Sequence, residues 1–151
     1  MDVDDPVYGT VNVDDPVLLE LMGTGPVQRL QHVNQAGPAA LVDEKPVTRY
    51  DHSVGVMLLL RVFDAPLREQ VAGLLHDVPH TAFSHVADFV FPNEEHEYHE
   101  RFMETVIRDS EIPEILEEYG FALDDILDES EFPLLERELP DLCADRIDYF
   151  P

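Results

Sequence analysis

Between Tyr50 and Phe63 nearly every position is apolar. Val54, Val56, Met57, Leu58, Leu59, Leu60, Val62 and Phe63 leave a helix there no polar face to turn to water. A helix of that kind belongs in the middle of a bundle, covered on all sides by other helices. Asp64-Ala65-Pro66 breaks the run and caps a second helix carrying Leu67, Val71, Leu74 and Leu75. The chain is therefore expected to be an all-α bundle built around this pair.

The flanking segments agree. Asp15-Pro16 has the form of a helix start, with Asp as N-cap and Pro in the first turn. A second start stands at Thr24-Gly25-Pro26, with a stop expected at Gly37-Pro38. Further helices are predicted near 82–91, 94–108, 112–119 and 140–150, bounded by Pro92-Asn93, Gly120 and Pro140. Residues 6–13, β-branched and punctuated by Gly9, predict a short β hairpin or an extended arm. No repeat or low-complexity linker divides the chain, and its 151 residues fit a single domain, 1–151.

Charge restricts function next. The formal net charge is −24, from 33 acidic and 9 basic residues, of which Lys45 is the one lysine. Hydrophobic content of 44% is ordinary for a globular chain, so this acidity does not signal disorder. Such a surface fits a salt-rich cytoplasm, where repulsion is screened, or simply an acidic mesophilic protein. A phosphate backbone would be repelled, which excludes nonspecific nucleic-acid binding. Between Asp109 and Asp141 the acids crowd around one basic residue, Arg137, as a solvated face would; no calcium-loop spacing is present. Cys143 is the single cysteine, so no intrachain disulfide or thiolate zinc cluster is possible. No apolar stretch approaches the ~18 residues of a membrane span, and no signal peptide opens the chain. A soluble, cytoplasmic protein without membrane contacts is expected.

Six of the seven histidines (His52, His76, His80, His85, His96 and His99) fall between positions 52 and 99, interleaved with Asp77 and Asp88. His52 lies twelve residues before Asp64 and His76 twelve after it. Two antiparallel arms of that length, each ~18 Å at ~1.5 Å per residue, return His76 to the level of His52. Asp77 follows at once. Two imidazoles and a carboxylate are a mixed donor set suited to Mn, Fe, Co, Ni or Zn. A fourth, anionic ligand is needed, and Asp145, in the apolar-flanked run Leu142 to Ile147, is the best candidate. Spacing alone leaves a metal site and a set of hydrogen-bonded core histidines both open. A zincin helix is excluded because Pro79 interrupts His76-Asp77-Val78-Pro79-His80. No Gly-x-Ser-x-Gly elbow and no phosphate-binding glycine loop is present.

His52, His76-Asp77 and Asp145 match the H…HD…D signature, and on these residues the chain resembles the HD-domain metal-dependent phosphohydrolases. Asp5-Pro6-Val7-Tyr8-Gly9, Gln28-Arg29-Leu30, Asn34-Gln35-Ala36-Gly37, Arg49-Tyr50-Asp51-His52-Ser53-Val54-Gly55, Phe83-Ser84-His85 and Asp145-Arg146-Ile147-Asp148-Tyr149-Phe150 are similar to the deoxynucleoside-triphosphate triphosphohydrolase branch. The resemblance implies an HD-domain helical bundle in which His52, His76, Asp77 and Asp145 hold one divalent metal, with Mg as a further candidate beside the transition metals. Arg49, three residues before His52 on the same helical face, is placed to grip a phosphate, or else to form a surface salt bridge. His85 and Asp88 are spaced to hydrogen-bond on a helix, and similarity makes His85 the proton donor to the leaving oxygen. The resemblance further gives His80 and His99 phosphate contacts, with His96 as an alternative to His99. Gln35, Arg146 and Tyr149 it places at the sugar and phosphates.

Departures from the family pattern are also visible. Pro79 stands where glycine is usual, and Gly23 and Gln31 cannot serve the activator site of some relatives. The chain ends at Pro151, where relatives continue into a longer helix and a further helical domain, so part of the family domain is expected to be missing. Apolar surface left open there favours a homo-oligomer. Three functions follow: hydrolysis of a dNTP to deoxynucleoside and triphosphate, a nucleotidase or phosphodiesterase acting on another phosphoester, or a catalytically incomplete metal- or nucleotide-binding module.

Overall fold

The computed structural model describes residues 1–5, 7–35, 46–80, 105–137 and 141–149. It opens with an antiparallel hairpin, β1 (Asp2–Asp5) and β2 (Gly9–Asn12), in the register Asp2 to Asn12 and Asp5 to Gly9. Gly9 takes φ +73°, the left-handed region that glycine enters without strain. The turn is also tied by Asp5, whose carboxylate accepts from the backbone N–H of Val7 and Tyr8 at 2.7 and 2.9 Å.

Helices follow in order: α1 (Pro16–Met22), α2 (Gly25–Arg29), α3 (Arg49–Val62), α4 (Leu67–Leu75), α5 (Ile112–Glu118), α6 (Leu123–Leu127) and α7 (Ala144–Tyr149). Residues 105–108 are also helical. The all-round apolar helix is central as expected: α3 packs against α4 and α7, and residues 52–60 are all buried. Val56, Met57, Leu58 and Leu60 are joined by Leu18, Leu21, Leu74, Leu75, Ile107, Ile112 and Leu116 in one core. Burial of this apolar surface, at roughly 25 cal/mol per Å², is what holds the elements together.

Two glycines let the elements approach. A Cβ on Gly73 of α4 would lie 2.5 Å from Leu60 Cδ1 and 3.3 Å from Val56 Cγ1 of α3. A Cβ on Gly55 of α3 would lie 2.4 Å from a carboxylate oxygen of Asp148 on α7. Side chains at either place would wedge the bundle apart just where its chemistry converges.

Several boundaries differ from expectation. α2 ends at Arg29 and passes through a 3-10 turn at Leu30–His32, short of Gly37-Pro38. Tertiary pairing takes the chain away: Arg49 N–H donates to Val33 O, Gln35 N–H donates to Val47 O, and Asn34 bridges to Thr48. The N-cap of α4 is Pro66, while Asp64 makes the break with a left-handed φ of 54°. Asp15 caps α1 by position only, because its carboxylate pairs with Arg61 of α3. α6 carried no sequence signal strong enough to predict it. The helix expected at 82–91, and residues 94–104 of the one expected at 94–108, lie outside the described residues. No helix among the described residues is long and apolar enough to cross a membrane.

Candidate metal centre

Three elements deliver the cluster. α3 starts with a reciprocal capping box: Thr48 Oγ1 accepts from Asp51 N–H at 3.1 Å, and Asp51 Oδ2 accepts from Thr48 N–H at 3.0 Å. That fixed start puts Arg49 and His52 on one buried face. α4 ends at Leu75, ahead of Pro79, and the chain tightens through Val78 N–H to Leu75 O (3.0 Å) and His80 N–H to Asp77 O (3.0 Å). Arg29 latches this turn from α2 by donating to the carbonyls of Val78 and His80 at 2.7 and 2.9 Å. α7 supplies Asp145 and, one helical turn on, Asp148.

Both imidazoles present Nε2 to the same point. His76 Nδ1 donates to Gly73 O at 2.7 Å, which leaves Nε2 facing inward. His52 Nδ1 lies 2.9 Å from Asp148 Oδ2, and its Nε2 lies 2.9 Å from Asp145 Oδ1. Asp145 Oδ1 is also 3.5 Å from His76 Nε2. Asp77 Oδ1 accepts from Arg49 at 2.7 Å, both side chains being 5% exposed, while Oδ2 is buried without a hydrogen-bond partner among the described residues. His76 Nε2 is likewise buried, with Asp145 Oδ1 at 3.5 Å and Asp77 Oδ1 at 3.8 Å as its polar neighbours.

Ligand atoms of His52, His76 and Asp77 all lie within 4.8 Å of one another. Buried polar atoms left unsatisfied cost roughly 1–3 kcal/mol each, so their convergence calls for a ligand that accepts their lone pairs. A divalent cation does so. These residues fit one, and His52, His76 and Asp77 could hold it; the mixed N/O set does not choose among Mn, Fe, Co, Ni and Zn.

Electrostatics point the same way. Burial alone would lower the pKa of His52, but its contacts with Asp145 and Asp148 outweigh that and raise it to about 9. His76 is raised too, the carboxylates of Asp77 and Asp145 overcoming its desolvation and the neighbouring His52 charge. Asp77 is pushed up by burial, yet the facing His76, Arg49, His80 and His52 hold it below the usual carboxylate range. Asp145 is held far below that range by hydrogen bonds from His52 and His76, against its own burial. Without a metal, a proton on His52 offsets part of the carboxylate charge. A cation with two positive charges can take its place.

The remaining predicted residues divide. His80 lies at the rim, its Nε2 3.5 Å from Asp77 Oδ1. Arg49 is no surface residue: it is 4% exposed and its guanidinium is bound to Asp77, so the surface salt-bridge alternative is replaced by a buried pair. Arg146 donates to Glu136 at 2.6 Å and to the carbonyls of Arg137 and Asp141. Gln35 is half-buried at its hydrogen bond to Val47, its Oε1 without a partner among the described residues. Tyr149 is the last residue of α7. His85, Asp88, His96 and His99 lie outside the described residues. Asp148 and Tyr8 were missed as single residues, although both stand inside motifs quoted for the family resemblance. The available signal was Asp148's place three residues after Asp145.

Residues 49–150 match the HD domain family model. The chain belongs to the HD-domain family. It is 50% identical over 151 residues to the uncharacterized protein YdhJ of Bacillus subtilis, covering 99% of this chain and 46% of that one. It is 42% identical over 147 residues to the metal-dependent phosphohydrolase cns2 of Cordyceps militaris, covering 96% and 42%. The chicken deoxynucleoside triphosphate triphosphohydrolase SAMHD1 is 30% identical over 145 residues, 80% of this chain and 24% of that protein. A crystal structure of a hypothetical protein from Aquifex aeolicus superposes with a TM-score of 0.75 at 33% identity, covering 99% of this chain and 44% of that one. This HD chain thus spans under half the length of these relatives.

Proposed function

We propose that the protein is a metal-dependent phosphohydrolase acting on a nucleotide phosphoester, with a dNTP, cleaved to deoxynucleoside and triphosphate, as the first substrate to test. The observation that carries this reading is the convergence of metal-ligating atoms of His52, His76 and Asp77, all within 4.8 Å of one another, from buried or nearly buried side chains. In it, His52, His76, Asp77 and Asp145 hold one divalent cation. Such a cation supplies Lewis-acid polarisation of the phosphoryl group and a lowered pKa for the attacking water. Arg49 first orients Asp77, and its guanidinium and the His80 ring stand where phosphate oxygens would lie. His85, held by Asp88, protonates the leaving oxygen; Gln35, His99, Arg146 and Tyr149 contact sugar and phosphates. The similarity to SAMHD1 supports the dNTP over other phosphoesters.

The proposal extends to a single HD domain, a cytoplasmic setting and a salt-adapted surface. It also includes self-association, since Phe63, Leu134, Leu142 and Ile147 expose apolar side chains around one shallow depression. Sedimentation should find a species larger than the monomer. The activity test is a hydrolysis screen of dNTPs, nucleoside monophosphates and cyclic nucleotides with Mn, Ni, Co and Mg, at low and high salt. Release of inorganic triphosphate supports the reading. Orthophosphate from monophosphates moves it to a nucleotidase, and metal binding without turnover moves it to a binding module. His85→Ala should abolish turnover and spare the metal.

A further inference from the structure

Behind His52 stands a set of side chains that ion binding does not itself require. Asp148 Oδ2 meets His52 Nδ1 at 2.9 Å, and Asp148 Oδ1 accepts from the Tyr8 hydroxyl at 2.8 Å. Tyr8 belongs to the turn of the N-terminal hairpin, 140 positions away in sequence. The carboxylate sits against Gly55, where a Cβ would lie 2.4 Å from Oδ1 and 2.8 Å from Oδ2. Hairpin, α3 and α7 thus meet at one carboxylate, in a space that exists because position 55 has no side chain.

We infer that Tyr8 and Asp148 are positioning residues of the metal centre: Tyr8 fixes Asp148, and Asp148 fixes His52 with its proton on Nδ1 and its Nε2 lone pair toward the ion. The inference rests on the reading that His52 is a metal ligand. A neutral imidazole carries one N–H, and only the ring nitrogen without it can coordinate. A carboxylate accepts and cannot donate, so when an ion takes Nε2 in place of its contact with Asp145, Asp148 keeps the proton on Nδ1 and holds the ring plane. His76 achieves the same end with the Gly73 carbonyl, a backbone group that needs no support. Asp148 is a side chain free to rotate, and Tyr8 occupies its second oxygen and stops that rotation. The hairpin is therefore a working part of the site although none of its atoms reaches the ion.

The test is Co(II) affinity of the 151-residue chain, measured by chelator competition, together with the visible Co(II) absorption band. The variants are Tyr8→Phe, Asp148→Asn, their combination, Gly55→Ala and His52→Ala, with melting in chelator as the folding control. Asp148→Asn should weaken Co(II) binding by about 10–100-fold and shift the band, as loss of an outer hydrogen-bond partner does. Tyr8→Phe should cause a smaller loss, and Gly55→Ala should reproduce that of Asp148→Asn. The double variant should be no worse than Asp148→Asn alone, since Tyr8 acts through Asp148. Parent-like affinity and spectrum in both Tyr8→Phe and Asp148→Asn overturns the inference, as do strictly additive losses. Should Asp148→Asn fail to fold, Tyr8→Phe decides alone, because it removes one hydroxyl. If the parent chain binds no Co(II), or His52→Ala binds it equally well, the metal reading falls and this inference with it. If His52→Ala abolishes binding while the Tyr8 and Asp148 variants match the parent, only the inference falls.

Discussion

Gly73→Ala sets two known effects against each other. In a helix interior, Ala is favoured over Gly by about 1 kcal/mol, so an exposed Gly73 would be improved by the change. Here the new Cβ would lie 2.5 Å from Leu60 Cδ1, about 1 Å inside ordinary contact, and 3.3 Å from Val56 Cγ1. Leu60 and Val56 are both 0% exposed, so neither can swing into solvent. Overpacking of this kind costs typically 1–3 kcal/mol. The net expectation is destabilisation of up to about 2 kcal/mol, a fall in Tm of up to about 4–8 °C for a chain this long. Relief by sliding α4 along α3 would also carry His76 away from His52 and weaken metal binding. Urea denaturation of Gly73→Ala, Leu60→Val and the double variant measures it. Removing Leu60 Cδ1 should recover most of the loss, giving a favourable coupling of about 1 kcal/mol. A Gly73→Ala variant more stable than the parent, or one insensitive to Leu60→Val, would refute the packing argument.

Other outcomes follow from the same contacts. Glu69, 4% exposed, accepts the backbone N–H of Leu134 and Leu135 at 2.7 and 3.1 Å; Glu69→Leu orphans the Leu134 N–H, while Leu135 keeps Phe132 O at 3.1 Å, and should cost about 1–3 kcal/mol in denaturant melts. Arg49→Met takes the guanidinium from buried Asp77, leaves it the neighbouring imidazoles, and should cost the metal-free protein up to about 3–5 kcal/mol, much of it regained when metal is added. The folded pKa of His52, about 9, exceeds its unfolded value of ~6.5. Its contribution is therefore complete below ~6.5 and lost as pH rises through about 9, so metal-free Tm should fall across that window. Asp145 has the opposite sign: depressed when folded, it stabilises above the unfolded carboxylate value and loses that contribution as acid protonates it. Metal affinity should run against metal-free stability, tightening toward pH 9 by up to about tenfold per pH unit from the His52 proton alone, with His76 adding to the slope where it too gives up a proton.

What the sequence made legible was set by periodicity and spacing. The all-round apolar face of α3 and the twelve-residue arms about Asp64 were enough to centre one helix and bring His76 level with His52. The end of α2 was not legible, because a bridge from Asn34 to residues near Thr48 overrides helix propensity, and no local pattern encodes that pairing. Arg49 was expected at a phosphate because its helical face was readable. Its partner was not, since Asp77 arrives from a different helix. Asp148, Tyr8 and Gly55 form a second layer held by distances of a few ångströms across 140 positions, and single-residue chemistry gives no hint of it.

The most direct test is anomalous diffraction from crystals soaked with Mn(II) or Co(II). The account predicts one strong peak enclosed by Nε2 of His52, Nε2 of His76 and the carboxylates of Asp77 and Asp145. A cluster that stays empty at saturating metal, or a peak that excludes either histidine, would contradict it.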